Sequence, residues 1–275
     1  MRRIFCIVVV AAVAASCSHG HTYPSRSFTW SGDVTPGATV NVRNLDGAIA
    51  IVPSADGKLS VDAVIVNAAP TAVEVKQATI GNDIYFCTLF QPKADDSCGP
   101  GGHKHDVSIS PFSFFSHKHT NTVRYTLRVP SNVTVDVETV NGRIAAQNIG
   151  GNVRATTVNG DVAVSTTKGT VNAETVNGSI IASMASLPDS GNVHLETVNG
   201  SITSVLPEGI GGSIDLQNTN GTITANYPNA VPDAGDKHHM QIKLDAGNRR
   251  VTVETVNGSV NLTRYVKTAL VSLRY

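Results

Sequence analysis

Aromatic side chains supply only 5% of this 275-residue chain and charged ones only 15%, with a single tryptophan. Val, Thr, Ala, Asn and Gly carry the sequence instead, which excludes an ordinary helical bundle and suits many short β-branched strands joined by glycine turns. Excess charge of either sign is also missing, with 21 Lys and Arg against 21 Asp and Glu. No basic stripe is present to follow a phosphate backbone, so nucleic acid is not an expected partner. Long apolar runs are absent too. The one candidate, Ile4 to Ala15, is too short to span a bilayer.

That run follows Arg2 and Arg3, and its end forms the tetrapeptide Ala14-Ala15-Ser16-Cys17 with the two residues after it. A positive start, a short apolar stretch and small residues before a cysteine make a lipoprotein-type signal peptide over residues 1–17. The motif resembles the bacterial lipobox, with Ala14 where Leu is usual, and implies lipidation at Cys17. Residues 18–27 then read as a polar tether. The expected address is the bacterial envelope, as an outer-membrane lipoprotein facing the periplasm or the cell surface. Membrane contact would rest on the lipid alone.

Cysteine is scarce, with four in the chain. Export would remove Cys6 and lipidate Cys17, leaving Cys87 and Cys98 as a structural disulfide in an oxidising compartment. Catalytic signatures are missing altogether: no Gly-x-Ser-x-Gly, phosphate-binding loop, His-Glu-x-x-His or dinucleotide fingerprint occurs. The expectation is no enzyme and no cofactor.

What is present is repetition. Thr-Val-Asn-Gly occurs five times, as Asn141-Gly142, Asn159-Gly160, Asn177-Gly178, Asn199-Gly200 and Asn257-Gly258, with a degenerate copy at Asn220-Gly221. An outlying relative, Asn44-Leu45-Asp46-Gly47, lies near the start. Seven residues before each glycine stand Val135, Val153, Val171, Val193, Ile214 and Val251. Two residues after it stand Ile144, Val162, Ile180, Ile202, Ile223 and Val260. Polar residues fill the positions between, so each unit reads strand, corner, strand. Asn and Gly suit a corner needing positive φ. The glycines are 18, 18, 22, 21 and 37 residues apart, and the last gap reads as two periods with one copy lost around Pro228 to His239.

Two all-β architectures fit. In a β-solenoid, a single-stranded β-helix-like stack of 18–22-residue repeats, like residues lie on like about 4.8 Å apart. In an antiparallel meander or sandwich, Asn-Gly closes a two-residue hairpin. The residue before each Asn-Gly is Val, which a hairpin turns to solvent and a solenoid corner tucks inside. That argument favours the solenoid.

The flanks give an N-terminal β region over 28–130 and a repeat region with a C-terminal cap over 131–275. The former holds strands Ala38 to Val42, Ala48 to Val52, Leu59 to Val66, Thr71 to Ala78 and Val123 to Val129. A disulfide-pinned insertion at 87–121 breaks the pattern. Its His103, His105, His117 and His119 are candidate metal ligands, although their spacing matches no zinc motif and a solvated loop is the plainer reading. Charged residues of Val260 to Tyr275 would shield the last edge. Along the repeats, Glu138, Glu174, Glu196 and Glu254 form an acidic column in which Glu174 and Glu196 alone are expected to stack.

Pro36-Gly37-Ala38-Thr39-Val40-Asn41-Val42, Asn44-Leu45-Asp46-Gly47-Ala48-Ile49, Leu127-Arg128-Val129-Pro130 and the Thr-Val-Asn-Gly series resemble the bacterial putative adhesin family, exported β-strand-repeat proteins of unknown function. The resemblance covers about residues 28–265 and implies a β-solenoid-like scaffold presenting a repetitive surface to a glycan or envelope protein. The alternatives are a polysaccharide-active β-helix enzyme, which would need clustered carboxylates in a groove, and a periplasmic metal or stress sensor using the His-rich loop.

Overall fold

The computed structural model describes residues 23–94, 96–100, 121–230, 237–244 and 247–265. Among them are twenty strands and no helix. Seven strands precede the first repeat unit: β1 (Arg26–Gly32), β2 (Thr39–Arg43), β3 (Ile49–Pro53), β4 (Leu59–Val66), β5 (Val73–Ile80), β6 (Asp83–Phe90) and β7 (Thr122–Val129). Each repeat then gives one strand before its glycine and one after. These are β8 (Thr134–Glu138) and β9 (Ile144–Ile149), β10 (Val153–Asn159) and β11 (Val162–Thr166), β12 (Val171–Asn177) and β13 (Ile180–Met184). There follow β14 (Val193–Asn199) and β15 (Ile202–Leu206), then β16 (Gly212–Asn220) and β17 (Ile223–Asn226). β18 (His239–Lys243) intervenes before the last copy, β19 (Arg249–Asn257) and β20 (Val260–Arg264).

The strands form two mixed ten-stranded sheets. The first runs β1-β4-β7-β3-β9-β11-β13-β15-β20-β17 and the second β18-β16-β19-β14-β12-β10-β8-β2-β6-β5. Strands on the two sides of each Asn-Gly therefore belong to different sheets, and the two-residue hairpin is not formed. Successive repeats pair in parallel and in register, Val153 with Val171 and Asn159 with Asn177, Val162 with Ile180. Alternation puts the aliphatic columns between the sheets. Val135, Val153, Val171, Val193, Val251 and Ile214 line one wall, and Ile144, Val162, Ile180, Ile202 and Val260 the other, all buried. Burying a Val or Ile side chain contributes about 1.5–3 kcal/mol, and here the same burial recurs in every unit.

Three expectations need correction. First, the valine before Asn-Gly is not uniformly tucked in: Val140 is 9% exposed, but Val176 and Val256 are 39% and 40% exposed. The corner turns them outward, so the parallel pairing carries the stacking and those valines do not. Second, the five Thr-Val-Asn-Gly corners do not use positive φ, whereas Gly221 of the degenerate copy and Gly47 of the early one do, at 146° and 132°. None of the repeat asparagines has it, and Gly142, Gly160, Gly178, Gly200 and Gly258 lie outside that region. Glycine is required there by close approach. A Cβ on Gly160 would sit 2.1 Å from the carbonyl oxygen of Gly142, and one on Gly178 equally near that of Gly160.

Third, spatial order departs from chain order at both ends. The last copy, β19 and β20, slots between β14 and β16 and between β15 and β17. The degenerate Asn220-Gly221 unit is thus outermost, and antiparallel β18 closes its sheet. Among the described residues, the long gap holds β18, which pairs antiparallel and is not a further parallel unit. Likewise Val260–Arg264 is an interior strand and not a terminal cap; residues 266–275 lie outside the described ones. At the other end, β2 and β3 lie between the β6–β7 unit and the β8–β9 unit.

The N-terminal end differs in its filling. Trp30 and Phe28 pack edge-on against Phe86 with ring centroids 5.4 and 6.3 Å apart. Tyr125, also buried, shares a 2.7 Å hydrogen bond with Thr88. β6, unrecognised in the sequence, continues through Cys87, which is joined to Cys98 with Cα atoms 5.6 Å apart. The outer face of β6 is thereby covered, with Tyr85, Cys87, Leu89 and Cys98 forming a small apolar cluster of their own.

Candidate interaction surfaces

The repeat corners build a continuous polar edge. Asn141 Nδ2 donates to Asp46 Oδ1 at 2.6 Å, Asn159 to Asn141 at 2.8 Å, Asn177 to Asn159 at 2.8 Å and Asn199 to Asn177 at 2.8 Å. Asn257 then donates to Asn199 and Asn220 to Asn257, both at 2.9 Å. Every amide points the same way along the stack. An interior member must both accept and donate, which an Asn side chain does and a carboxylate does not. The first member need only accept, and it alone is Asp.

Beneath this file runs a second one. The buried hydroxyls of Thr157, Thr175, Thr197 and Thr255 donate to the carbonyls of Gly142, Gly160, Gly178 and Gly200 at 2.8–3.0 Å. In the degenerate copy Asn218 takes the threonine's place, bonding Gly258 at 3.4 Å. Apart from the buried Asp46 Oδ2, which has no hydrogen-bond partner, both files satisfy the groups they involve, so the edge is structural first. The Asn side chains are nonetheless exposed, beside half-exposed or exposed Val158, Val176, Val198 and Val256.

Outward positions of the two sheets differ in chemistry. On the second sheet, six residues before the glycine stand Asn41, Asp136, Arg154, Asn172, His194, Asp215 and Thr252; four before it stand Arg43, Glu138, Thr156, Glu174, Glu196, Gln217 and Glu254. Arg43 bridges Asp136 at 3.1 Å and Glu138 at 3.4 Å. Because β19 lies beside β14, Glu254 pairs with Glu196, which pairs with Glu174. Three carboxylates, not two, therefore stack about 4.8 Å apart, an unfavourable arrangement for like charges in a sheet. Arg154 approaches Glu174 at 3.7 Å and His194 approaches Glu196 at 3.2 Å. The third residue was missed because chain order separates Glu254 from Glu196.

On the first sheet, the outward positions three and five after the glycine are Ala50, Val52, Ala145, Gln147, Ala163, Ser165, Ile181, Ser183, Thr203, Val205, Thr224, Asn226, Asn261 and Thr263. None is charged or aromatic. From β3 to β20 all are half-buried or buried, so the face is flat. The signal was available in the sequence as two columns that never take a charge.

A pocket of about 340 Å³ opens near the opposite corner, lined by residues such as Pro53, Gly57, Pro130, Asn132 and Asn148. No ionisable side chain lines it, so it offers no acid, base or electrophile. Among the described residues no group of His, Cys, Asp and Glu could hold a metal ion. His103, His105, His117 and His119, and Cys17, lie outside the described residues.

The solved structures that this chain resembles share little sequence with it. A putative cell adhesion protein from Clostridium sporogenes is 10% identical, over 88% of this chain and 100% of that one, with a TM-score of 0.49. Putative adhesins from Bacteroides fragilis and Parabacteroides distasonis are each 9% identical, over 86% and 87% of this chain and 97% of each of theirs, with TM-scores of 0.28 and 0.30. No curated protein matches the sequence. The Toastrack DUF4097 family model matches residues 31–263, and the chain belongs to that family.

Proposed function

We propose that this protein is a non-enzymatic, adhesin-like scaffold of the bacterial envelope, a β-solenoid held at the membrane by lipid on Cys17. It presents the charged outer face of its second sheet to a glycan or protein partner. The observation that carries this reading is the pairing register. Parallel copying of one unit turns each sequence column into a straight row of side chains, so the stack displays an ordered charge pattern. Complementary charge sets partner choice and encounter rate more than raw affinity. The row Glu174, Glu196 and Glu254 is the distinctive part of the pattern, since its mutual repulsion would be relieved by a cationic group on a partner.

The test is retention of the purified full chain on envelope fractions and on a glycan array, beside a variant carrying Glu174→Lys, Glu196→Lys and Glu254→Lys. The expected result is retention of the wild type and loss of retention in the variant, with the same β-sheet circular dichroism for both. No retention of the wild type, or release of reducing sugars from a polysaccharide panel, would overturn the reading.

A further inference from the structure

We infer that the uncharged outer face of the first sheet is a homodimer interface, on which a second copy of this chain stacks sheet against sheet about a two-fold axis. The inference rests on the scaffold reading, because it assigns one of the scaffold's two faces to self-association and leaves the charged one outward.

The two faces are made by the same repeats and meet the same solvent, yet one carries charges and the other, at its two outward columns from β3 to β17, carries none. A strand face kept polar only for solubility would show Lys, Arg or Glu in both. The strands of this face make their principal contacts with sheet neighbours and with the facing sheet, and no other described strand packs across it. Its middle is apolar or small, with Ala145, Ala163, Ile181, Ser183 and Val205. Charge enters at the margins: Arg124, Arg128 and Asp62 on β7 and β4, Arg143 and Asp161 at the corners ahead of β9 and β11, and Arg264 at the end of β20, paired with Glu208. A neutral centre inside a charged rim is the pattern of an interface.

Two arguments select a second copy as the occupant. The first is charge complementarity: two-fold symmetry brings each column onto a copy of itself or a near neighbour, which a neutral face tolerates at any angle. The charged face would instead set Glu against Glu. The absence of aromatic rings removes the stacking platform that sugar rings favour. The second argument is area. Seven strands about 4.8 Å apart and about 17 Å long give roughly 550–600 Å² per copy. The total, roughly 1,100–1,200 Å², clears the roughly 1,000 Å² of a specific interface while sitting at the weak end of that class. Shallow Ala and Ser rows also let two sheets approach closely.

β13 is the middle strand of the seven, so its outward Ile181 and Ser183 lie nearest the axis. Sedimentation of the purified full chain across about 1–100 μM tests the inference. The expected result is a monomer–dimer equilibrium little affected by salt, since no ion pair crosses the interface. Ile181→Lys with Ser183→Lys should give a monomer across the same range, with unchanged β-sheet circular dichroism because both positions face outward. Glu174→Lys, on the other sheet, should leave the dimer intact. A wild type that stays monomeric at 100 μM overturns the inference. So does a double-lysine variant that still dimerises, or one that turns monomeric and loses envelope retention, which would assign the face to a different partner. Failure of the scaffold reading looks different: the dimer would form, and nothing from the envelope would be retained.

Discussion

The middle of the stack and its N-terminal end answer one problem with different chemistry. In the middle, every unit is covered by a near copy of itself, and the interior needs nothing larger than Ile, Leu or Met. Backbone carbonyls of one unit receive the threonine hydroxyls of the next, and asparagine amides repeat the bond at the surface. At the N-terminal end no further copy follows. There Trp30, Phe28, Phe86 and Tyr125 fill the space, β1, β4 and β5 pair antiparallel, and Cys87–Cys98 ties the chain. A copied unit inherits its partner's shape; an end must be closed with irregular bulk and a covalent link. This is why the few aromatic residues are not spread along the chain.

The largest effect should come from breaking the copying itself. Gly178→Ala places a Cβ 2.1 Å from a backbone oxygen that cannot rotate away. Denaturant unfolding should show a loss of about 3 kcal/mol. Gly81→Ala at the β5–β6 turn near the N-terminal end meets open space and has only its positive φ to strain, so about 1 kcal/mol is expected there. At that end the comparable lever is covalent. Reducing Cys87–Cys98, or replacing both by Ser, should cost about 3 kcal/mol by the loop-entropy account, read from the same unfolding curves.

Smaller effects sharpen the contrast. Thr175→Val keeps the shape and removes one buried bond to Gly160, and should cost about 1 kcal/mol in unfolding free energy. Alkaline titration separates the ends from the middle through tyrosine, which the middle repeats lack. Burial pushes Tyr125 up beyond the ordinary range, and burial, with Glu208 adding to it, pushes Tyr227 up to about 12. A phenol whose folded pKa is raised adds stability that is full below the unfolded value of 10.0 and is lost as pH rises through the folded one. Thermal stability should therefore begin to fall above pH 10, and Tyr227→Phe should shrink that fall.

The aliphatic columns, the pairing of like residues and the disulfide were legible in the sequence, because period-two burial and copied corners leave a regular trace. Unit order was not. Every unit carries the same columns, so Val193 fits beside Val251 as well as beside Ile214, and nothing in either segment names its neighbour. Register is encoded locally while order is set by the connections. The same redundancy hid the third glutamate. Glycine at the corner was legible as a turn residue, but its physical reason, a neighbouring carbonyl in the place of a Cβ, exists only once two units are in contact. β6 was obscured because Cys87 suggested the start of a loop.

The most direct measurement concerns that order. In a background with Cys6→Ser and Cys17→Ser, one variant carries cysteine at Asn199 and Asn257 and another at Asn199 and Asn220. Paired parallel neighbours lie about 4.8 Å apart, within disulfide reach, whereas strands two places apart lie about 10 Å apart and outside it. The account predicts a disulfide between positions 199 and 257 and none between 199 and 220. A bond between 199 and 220, with free thiols in the other variant, would contradict it, showing that the units stack in chain order and that the last copy does not enter the stack.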